Sequence, residues 1–421
     1  MQLRALTKPA LVWNRQQAKL VITNSPFMMK PSPCLLLCLI LFSSWHAAHA
    51  KVGQESAPPV FLTCRASNYD AGDFQRLSAK RDVALQRIPP SDPRFVYEGR
   101  FDFANPAGPV VAWQASRIRI DFDGDRLVLC FDRLGGQSFF DVQVDDEAWI
   151  LGLQWGGRQR LALQHTLSPG RHHLALFKRS EAGAGTVRFE GIELAPGAKA
   201  RVPAPVTWPL TMEFYGDSIT VGACDEDGAA DQWTNRLTHN CALNYAAMTA
   251  AAFSADYRNI SVSGMGIVTG YVKVRAAQVW NRTGARAGAP LADLKGWQPD
   301  LVFVNYGEND DSFTMSRQLD FPKAFADDYV ALVQNIRRAY PNARIVLLRG
   351  GMFGGAQSVR LRIPWEEAVA RLEAGDKNVG HFVFTHWSAL HPRVPDDRAM
   401  ADELIRWLKT RDFMQSPEKK R

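Results

Sequence analysis

Cysteine, long apolar runs and patterned basic stretches are all scarce in this 421-residue chain. Six cysteines make no dense disulfide scaffold, no His/Cys group has zinc-site spacing, and no Gly-rich phosphate loop is present. No cofactor and no metal are therefore expected. The apolar core Leu35 to Phe42 is too short to anchor the chain across a bilayer. The formal net charge of +7 owes five Lys/Arg and no acids to residues 1–50, and falls to about +2 without them. With no Lys/Arg run interleaved with aromatics, nucleic acid is excluded as a partner.

What is present begins with an export signal. Lys30 precedes Leu35–Phe42, and Ala48-His49-Ala50 has the small-x-small form that signal peptidase reads. A secreted or periplasmic protein starting near Lys51 is expected, with no membrane insertion after cleavage. Residues 1–27 fit no part of such a signal, so translation is expected to start at Met28 or Met29. Cys64, Cys130, Cys224 and Cys241 remain after cleavage. An oxidising compartment allows disulfides without requiring them. Cys224 with Cys241 is the pair best placed for one, and Cys130 reads as a buried strand residue.

The mature length suggests two domains. Period-2 alternation runs through Ser116–Phe122, Arg126–Phe131, Phe139–Asp145, Gly170–Arg179 and Thr186–Ile192, with Asp123-Gly124-Asp125 as the turn between the first two. That spacing predicts an antiparallel, jelly-roll-like β-sandwich. Pro203, Pro205 and Pro209 then read as a stiff linker. Beyond it, strands near 211, 259, 300, 343 and 382 alternate with helical patterns such as Asn244–Tyr257 and Phe321–Tyr340, predicting a flavodoxin-like three-layer α/β/α domain with a parallel sheet. The expected layout is leader and signal 1–50, lead-in 51–90, sandwich 91–200, linker 201–210, α/β domain 211–415 and charged tail 416–421.

The chemistry is concentrated at strand ends, where open α/β folds place their sites. Thr211–Tyr215 leads into Gly216-Asp217-Ser218, which presents Ser218 as a nucleophile on a tight turn. Asp217, within that turn, is expected to bond nearby backbone N–H groups. An ester-cleaving serine needs oxyanion donors and a base. Asn259–Ser263 empties into Gly264-Met265-Gly266, with Gly264 the first choice of backbone donor and Gly266 the second. Leu301–Tyr306 empties into Gly307-Glu308-Asn309-Asp310, where Asn309 offers its NH₂. His391 lies in a loop after the last strand.

The order Ser, Gly, Asn, His over residues 208–412 resembles the SGNH, or GDSL, hydrolases. The preceding sandwich, with Phe95, Gly99 and Arg100 as Phe-x-x-x-Gly-Arg and His172–Arg179 as His-x-Leu-x-Leu-x-Lys-Arg, is similar to that of carbohydrate esterase family 2. The resemblance implies a Ser218/His391 esterase whose oxyanion hole is formed by Ser218, Gly264 and Asn309. It implies an acetylated polysaccharide or oligosaccharide of the xylan or mannan type as substrate. A monomer is expected.

One position departs from the superfamily pattern. The aspartate usually found three residues before the histidine is Ser388 here, and a hydroxyl supplies little charge to an imidazolium. Three outcomes stay open: a Ser218–His391 dyad held by a backbone carbonyl, which the resemblance favours, an acid such as Asp396 or Asp397 reaching in, or an inactive site. His381 and His386 read as packing or surface residues, and Glu308 with Asp310 as too close in one loop to flank a glycosidic bond. Trp387 and Tyr306 are candidates for stacking a sugar ring. The competing functions are a carbohydrate-binding protein on the same scaffold and an exopolysaccharide or peptidoglycan O-acetyl esterase.

Overall fold

The computed structural model describes residues 73–78, 84–153 and 156–415. The expected signal, Cys64 and the tail 416–421 lie outside the described residues. No described helix is long and apolar enough to cross a membrane.

The N-terminal part is built from two antiparallel sheets. In one, the strands run Phe74–Leu77, Gly157–Leu163, Leu127–Gly136, Gly185–Leu194, Val110–Val111 and Phe101–Asp102, with Gln86–Ile88 also on Gly185–Leu194. In the other they run Ala200–Arg201, Arg117–Asp123, Arg171–Lys178, Ser138–Val144 and Glu147–Leu153, with Val96–Glu98 on Arg117–Asp123. Ile118, Ile120 and Phe122 of the second sheet share one core with Leu127, Leu129 and Phe131 of the first. The Asp123–Asp125 turn therefore carries the chain from one sheet to the other, rather than closing a hairpin within one.

The C-terminal part holds a five-stranded parallel sheet in the order Ala255–Ser261, Leu210–Gly216, Leu301–Asn305, Arg344–Met352, Val379–Ser388. This is the 2-1-3-4-5 order of flavodoxin-like folds, whose switch point lies beside the first strand. Alternate side chains feed two cores. Tyr215, Val302, Val304, Ile345 and Leu347 meet helices Phe325–Ala339 and Val359–Gly375. Met212, Phe214, Phe303, Val346 and Leu348 meet helices Tyr245–Ala252 and Val394–Lys409. The pattern at Asn244–Tyr257 splits, because Ser254 takes a left-handed φ of 49° and the chain turns into the next strand.

The two parts are joined through buried polar contacts. Phe95 lies in the sandwich core, Gly99 turns the chain at φ 131°, and Arg100 passes into the C-terminal part. There its Nη2 donates to Glu213 Oε1 and Tyr215 Oη at 2.8 Å and to Tyr340 Oη at 3.1 Å. The Phe-x-x-x-Gly-Arg segment thus bolts one part to the other. Gln114 Nε2 adds bonds to Asn259 Oδ1 and the Ser261 carbonyl, each 2.9 Å.

Candidate active site

Register brings the candidate residues to one sheet edge. Gly216 pairs with Ser261 on one side and with Asn305 on the other, so the three strands end level and their following loops converge. A Cβ at Gly216 would lie 2.2 Å from Thr220 Oγ1, which leaves only glycine room for the turn. Asp217 caps the single helical turn Ser218–Val221 by accepting from the Ile219 N–H at 3.2 Å, the backbone role read from the sequence. Ser218 is 4% exposed.

The second loop turns at Gly264, whose φ is 78° and whose carbonyl accepts from Tyr271 N at 2.8 Å. The backbone N–H groups of Ser218 and Gly264 have no hydrogen-bond acceptor among the described residues. Asn309 stands in the first turn of helix Glu308–Ser316 rather than in a loop. One of its Nδ2 hydrogens goes to the Met265 carbonyl at 3.1 Å.

Glu308 and Asp310 hold the surrounding loops. Asp310 accepts from the N–H groups of Ile267, Val268 and Thr269 at 2.8 to 2.9 Å. Its burial raises its pKa to about 6 against those donors. Glu308 accepts from Gly354 and Gly355 at 3.1 and 2.7 Å. Both are buried and committed to backbone, as a glycosidase pair would not be.

His391 finds its acid where the sequence reading did not look. Its Nδ1 donates to Asp231 Oδ2 at 2.6 Å, and Arg393 Nη1 meets the other carboxylate oxygen at 2.9 Å. Burial pushes the Asp231 pKa up, but the His391 hydrogen bond and charge, with Arg393, outweigh it and hold the carboxyl at about 2. Trp233 packs its ring against the imidazole at 5.1 Å, nearly perpendicular.

Ser388 makes no hydrogen bond with His391. Asp396 is taken by His386 Nε2 and the Arg393 N–H, and Asp397 by the Tyr245 N–H. A dyad propped by a carbonyl is therefore not what this fold builds. Glu308 lies close enough to Asp217 and His391 to interact electrostatically with both. No hydrogen bond joins Ser218 Oγ to the imidazole, and such bonds often tighten only with substrate bound.

Two other expectations are corrected. Tyr306 is 3% exposed within the core and offers no face to a sugar, whereas Trp387 is 36% exposed beside Phe353. Cys224 and Cys241 are both free and buried. Their sulfurs face different partners, His239 Nε2 at 3.5 Å and the Lys178 carbonyl at 3.5 Å.

Two sets of ligand-type side chains cluster here, Cys224 with Asp231 and His391, and Cys224 with Asp227 and His239. Their donors are already engaged: His391 on Asp231, His239 Nε2 on the Gln232 carbonyl, and Asp227 on Thr238 and Gln232. Burial and Asp227 hold the shared Cys224 thiol far above the usual range, so the thiolate a metal needs is disfavoured.

Asp231 sits in Asp225-Glu226-Asp227-Gly228-Ala229-Ala230-Asp231, where four acids lie within one loop region. Spacing cannot say which of them folds across to the last strand's loop.

Known proteins resemble this chain in sequence and fold. Residues 97–205 match the carbohydrate esterase 2 N-terminal family model, and residues 214–407 match the GDSL-like lipase/acylhydrolase family model. The cellulase/esterase CelE of Acetivibrio thermocellus is 31% identical over 267 residues, covering 63% of this chain and 32% of that protein, so the match spans about a third of the relative. An acetylxylan esterase / glucomannan deacetylase of Cellvibrio japonicus is 27% identical over 333 residues, covering 71% of this chain and 85% of that protein. A family two carbohydrate esterase from Clostridium thermocellum, solved in complex with cellohexaose, superposes with a TM-score of 0.65 at 28% identity, covering 75% of this chain and 98% of the other. The chain thus carries a carbohydrate esterase 2 N-terminal domain leading into a GDSL-like lipase/acylhydrolase domain, and its relatives and structural neighbours are family 2 carbohydrate esterases.

Proposed function

We propose that the protein is an exported serine esterase that removes O-acetyl groups from polysaccharides of the xylan or glucomannan class. The observation that carries this reading is the His391–Asp231 pair at the sheet edge where Ser218 stands. In the proposed reaction Ser218 Oγ attacks the acetyl carbonyl carbon while His391 Nε2 takes the hydroxyl proton. The ionised Asp231 fixes the tautomer and stabilises the imidazolium. The oxyanion is met by the N–H groups of Ser218 and Gly264 and by an Asn309 Nδ2–H.

Collapse of the tetrahedral adduct breaks the bond to the sugar oxygen, which leaves with the proton returned by His391. Water, activated by the same imidazole, then releases acetate from Ser218. Trp387, exposed beside Phe353, is assigned to stacking on a sugar of the chain. The substrate class rests on the names of the relatives, and export on the Lys30–Ala50 segment.

The test is hydrolysis of 4-nitrophenyl acetate and acetylated glucomannan by the protein beside folded Ser218→Ala and His391→Ala. Acetate release by the wild type alone is expected. No release by the wild type, or undiminished release by Ser218→Ala, would sink the assignment.

A further inference from the structure

We propose that Glu181, supplied by the antiparallel-sheet domain, is a positioning residue for the esterase centre, setting both the Gly264 donor loop and the loop that supports His391. The inference rests on the esterase reading above. Glu181 lies between strands Arg171–Lys178 and Gly185–Leu194 and is 2% exposed.

Its carboxylate has two arms. Oε2 accepts from the Ser263 N–H at 2.9 Å, fixing the residue immediately before Gly264. Oε1 accepts from Arg236 Nη1 at 3.1 Å. The Arg236 guanidinium lies over the Trp233 ring at 4.8 Å, and Trp233 packs edgewise on His391 at 5.1 Å. One carboxylate outside the hydrolase sheet therefore ties together the two loops that must be mutually aligned for catalysis.

The mount for this carboxylate is itself held. The Ala182 N–H donates to Gln114 Oε1 at 2.9 Å, and Gln114 Nε2 grips Asn259 and Ser261 in the strand that leads to Ser263. Lys178 Nζ donates to the Ser180 and Glu181 carbonyls at 2.7 and 3.3 Å. A hydrogen bond accepted by an ionised carboxylate is about twice as strong as a neutral one. An oxyanion donor must be placed to within a few tenths of an ångström to stabilise the transition state. Glu181 touches neither Ser218 nor His391, so it acts through the Ser263–Gly264 segment and through Arg236.

The experiment compares wild type with Glu181→Gln, Glu181→Ala and Arg236→Met. Each preparation is titrated with a fluorophosphonate so that kcat on 4-nitrophenyl acetate is expressed per reactive serine. Glutamine keeps one acceptor and loses the pairing with Arg236. The expected kcat per site falls about tenfold for Glu181→Gln and about a hundredfold for Glu181→Ala, with KM within threefold. Arg236→Met, which leaves the Ser263 arm intact, is expected to lose about tenfold even if the Glu181 variants do not fold.

A merely structural role would lower the number of reactive serines and leave kcat per site unchanged. Values within threefold of wild type for the folded variants would overturn the proposal while a Ser218-dependent wild type kept the esterase reading standing. An inactive wild type would overturn both.

Discussion

Asp231 and His391 lie 160 positions apart in the chain and 2.6 Å apart in the fold. An acid from the loop after Ser218 thus pairs with His391, while Ser388, three before the histidine, does not. Replacing such an acid by its amide keeps the shape, reverses the favoured tautomer and can cost about 10⁴ in turnover. Asp231→Asn is expected to lower kcat on 4-nitrophenyl acetate by about 10² to 10⁴, while Ser388→Ala stays within about threefold. Because the carboxyl is held at about 2, it remains ionised across the working range. The stabilisation from this pairing is fully present above the unfolded carboxyl's ordinary value and is lost only as pH falls through about 2. Full activity in Asp231→Asn between pH 5 and 8 would show that the pair is structural.

The places of Ser218, Gly264, Asn309 and His391 at strand ends were legible because each follows a strand whose apolar run is short and bounded. Gly216, Ser261 and Asn305 share one register level, and that is why four motifs scattered over the sequence converge. Asp231 was not legible, since its partner is set by tertiary folding of a loop and nothing in local spacing separates it from Asp225, Glu226 or Asp227. Tyr306 misled for the opposite reason: it follows a strand end and looks accessible in sequence, yet its ring turns into the core. The sandwich strands were legible by alternation, but not the crossing of Asp123–Asp125 between sheets, because a turn reads the same whether or not its strands pair.

Arg100 is expected to be the most sensitive contact between the two parts. Its guanidinium meets Glu213 with 1% and 0% of the two side chains exposed. Removing one member of a buried pair leaves an uncompensated charge, at about 3–5 kcal/mol. Arg100→Met should therefore lower the melting temperature by roughly 10 °C, and Arg100→Met with Glu213→Gln should recover part of that loss. Calorimetry would decide, and a shift below about 2 °C for Arg100→Met would show that the pair adds nothing net.

Trp387 and Tyr306 make opposite predictions on substrate binding. An exposed indole stacked on a sugar contributes about 0.5–1.5 kcal/mol, so Trp387→Ala should raise KM for acetylated glucomannan about threefold to tenfold. KM for 4-nitrophenyl acetate, which carries no sugar, should not move. Tyr306→Phe should leave both values unchanged. Equal effects of Trp387→Ala on the two substrates would remove the stacking role.

Lys178 carries a stability cost that depends on pH. Its side chain is fully buried, with Nζ donating to the Ser180 and Glu181 carbonyls. Burial pulls its pKa down from 10.5 to about 7, with the Cys241 and Glu181 charges resisting. In this case the folded value lies below the unfolded one, so the unfolded chain binds more protons between about pH 7 and 10.5 and stability rises with pH across that window. At and below pH 7 the burial of the ammonium costs about 5 kcal/mol, taking about 1.4 kcal/mol for each tenfold in proton affinity. Lys178→Met removes that cost but leaves the Ser180 carbonyl without its donor, at about 1–3 kcal/mol, while the Glu181 carbonyl keeps the Ala184 N–H at 3.2 Å. The variant is expected to be about 2 kcal/mol more stable than wild type at pH 6, with the advantage shrinking or reversing by pH 9.5. Urea titrations at the two values measure it. A difference between the proteins that does not change with pH would mean that Lys178 binds its proton equally in the folded and unfolded chain.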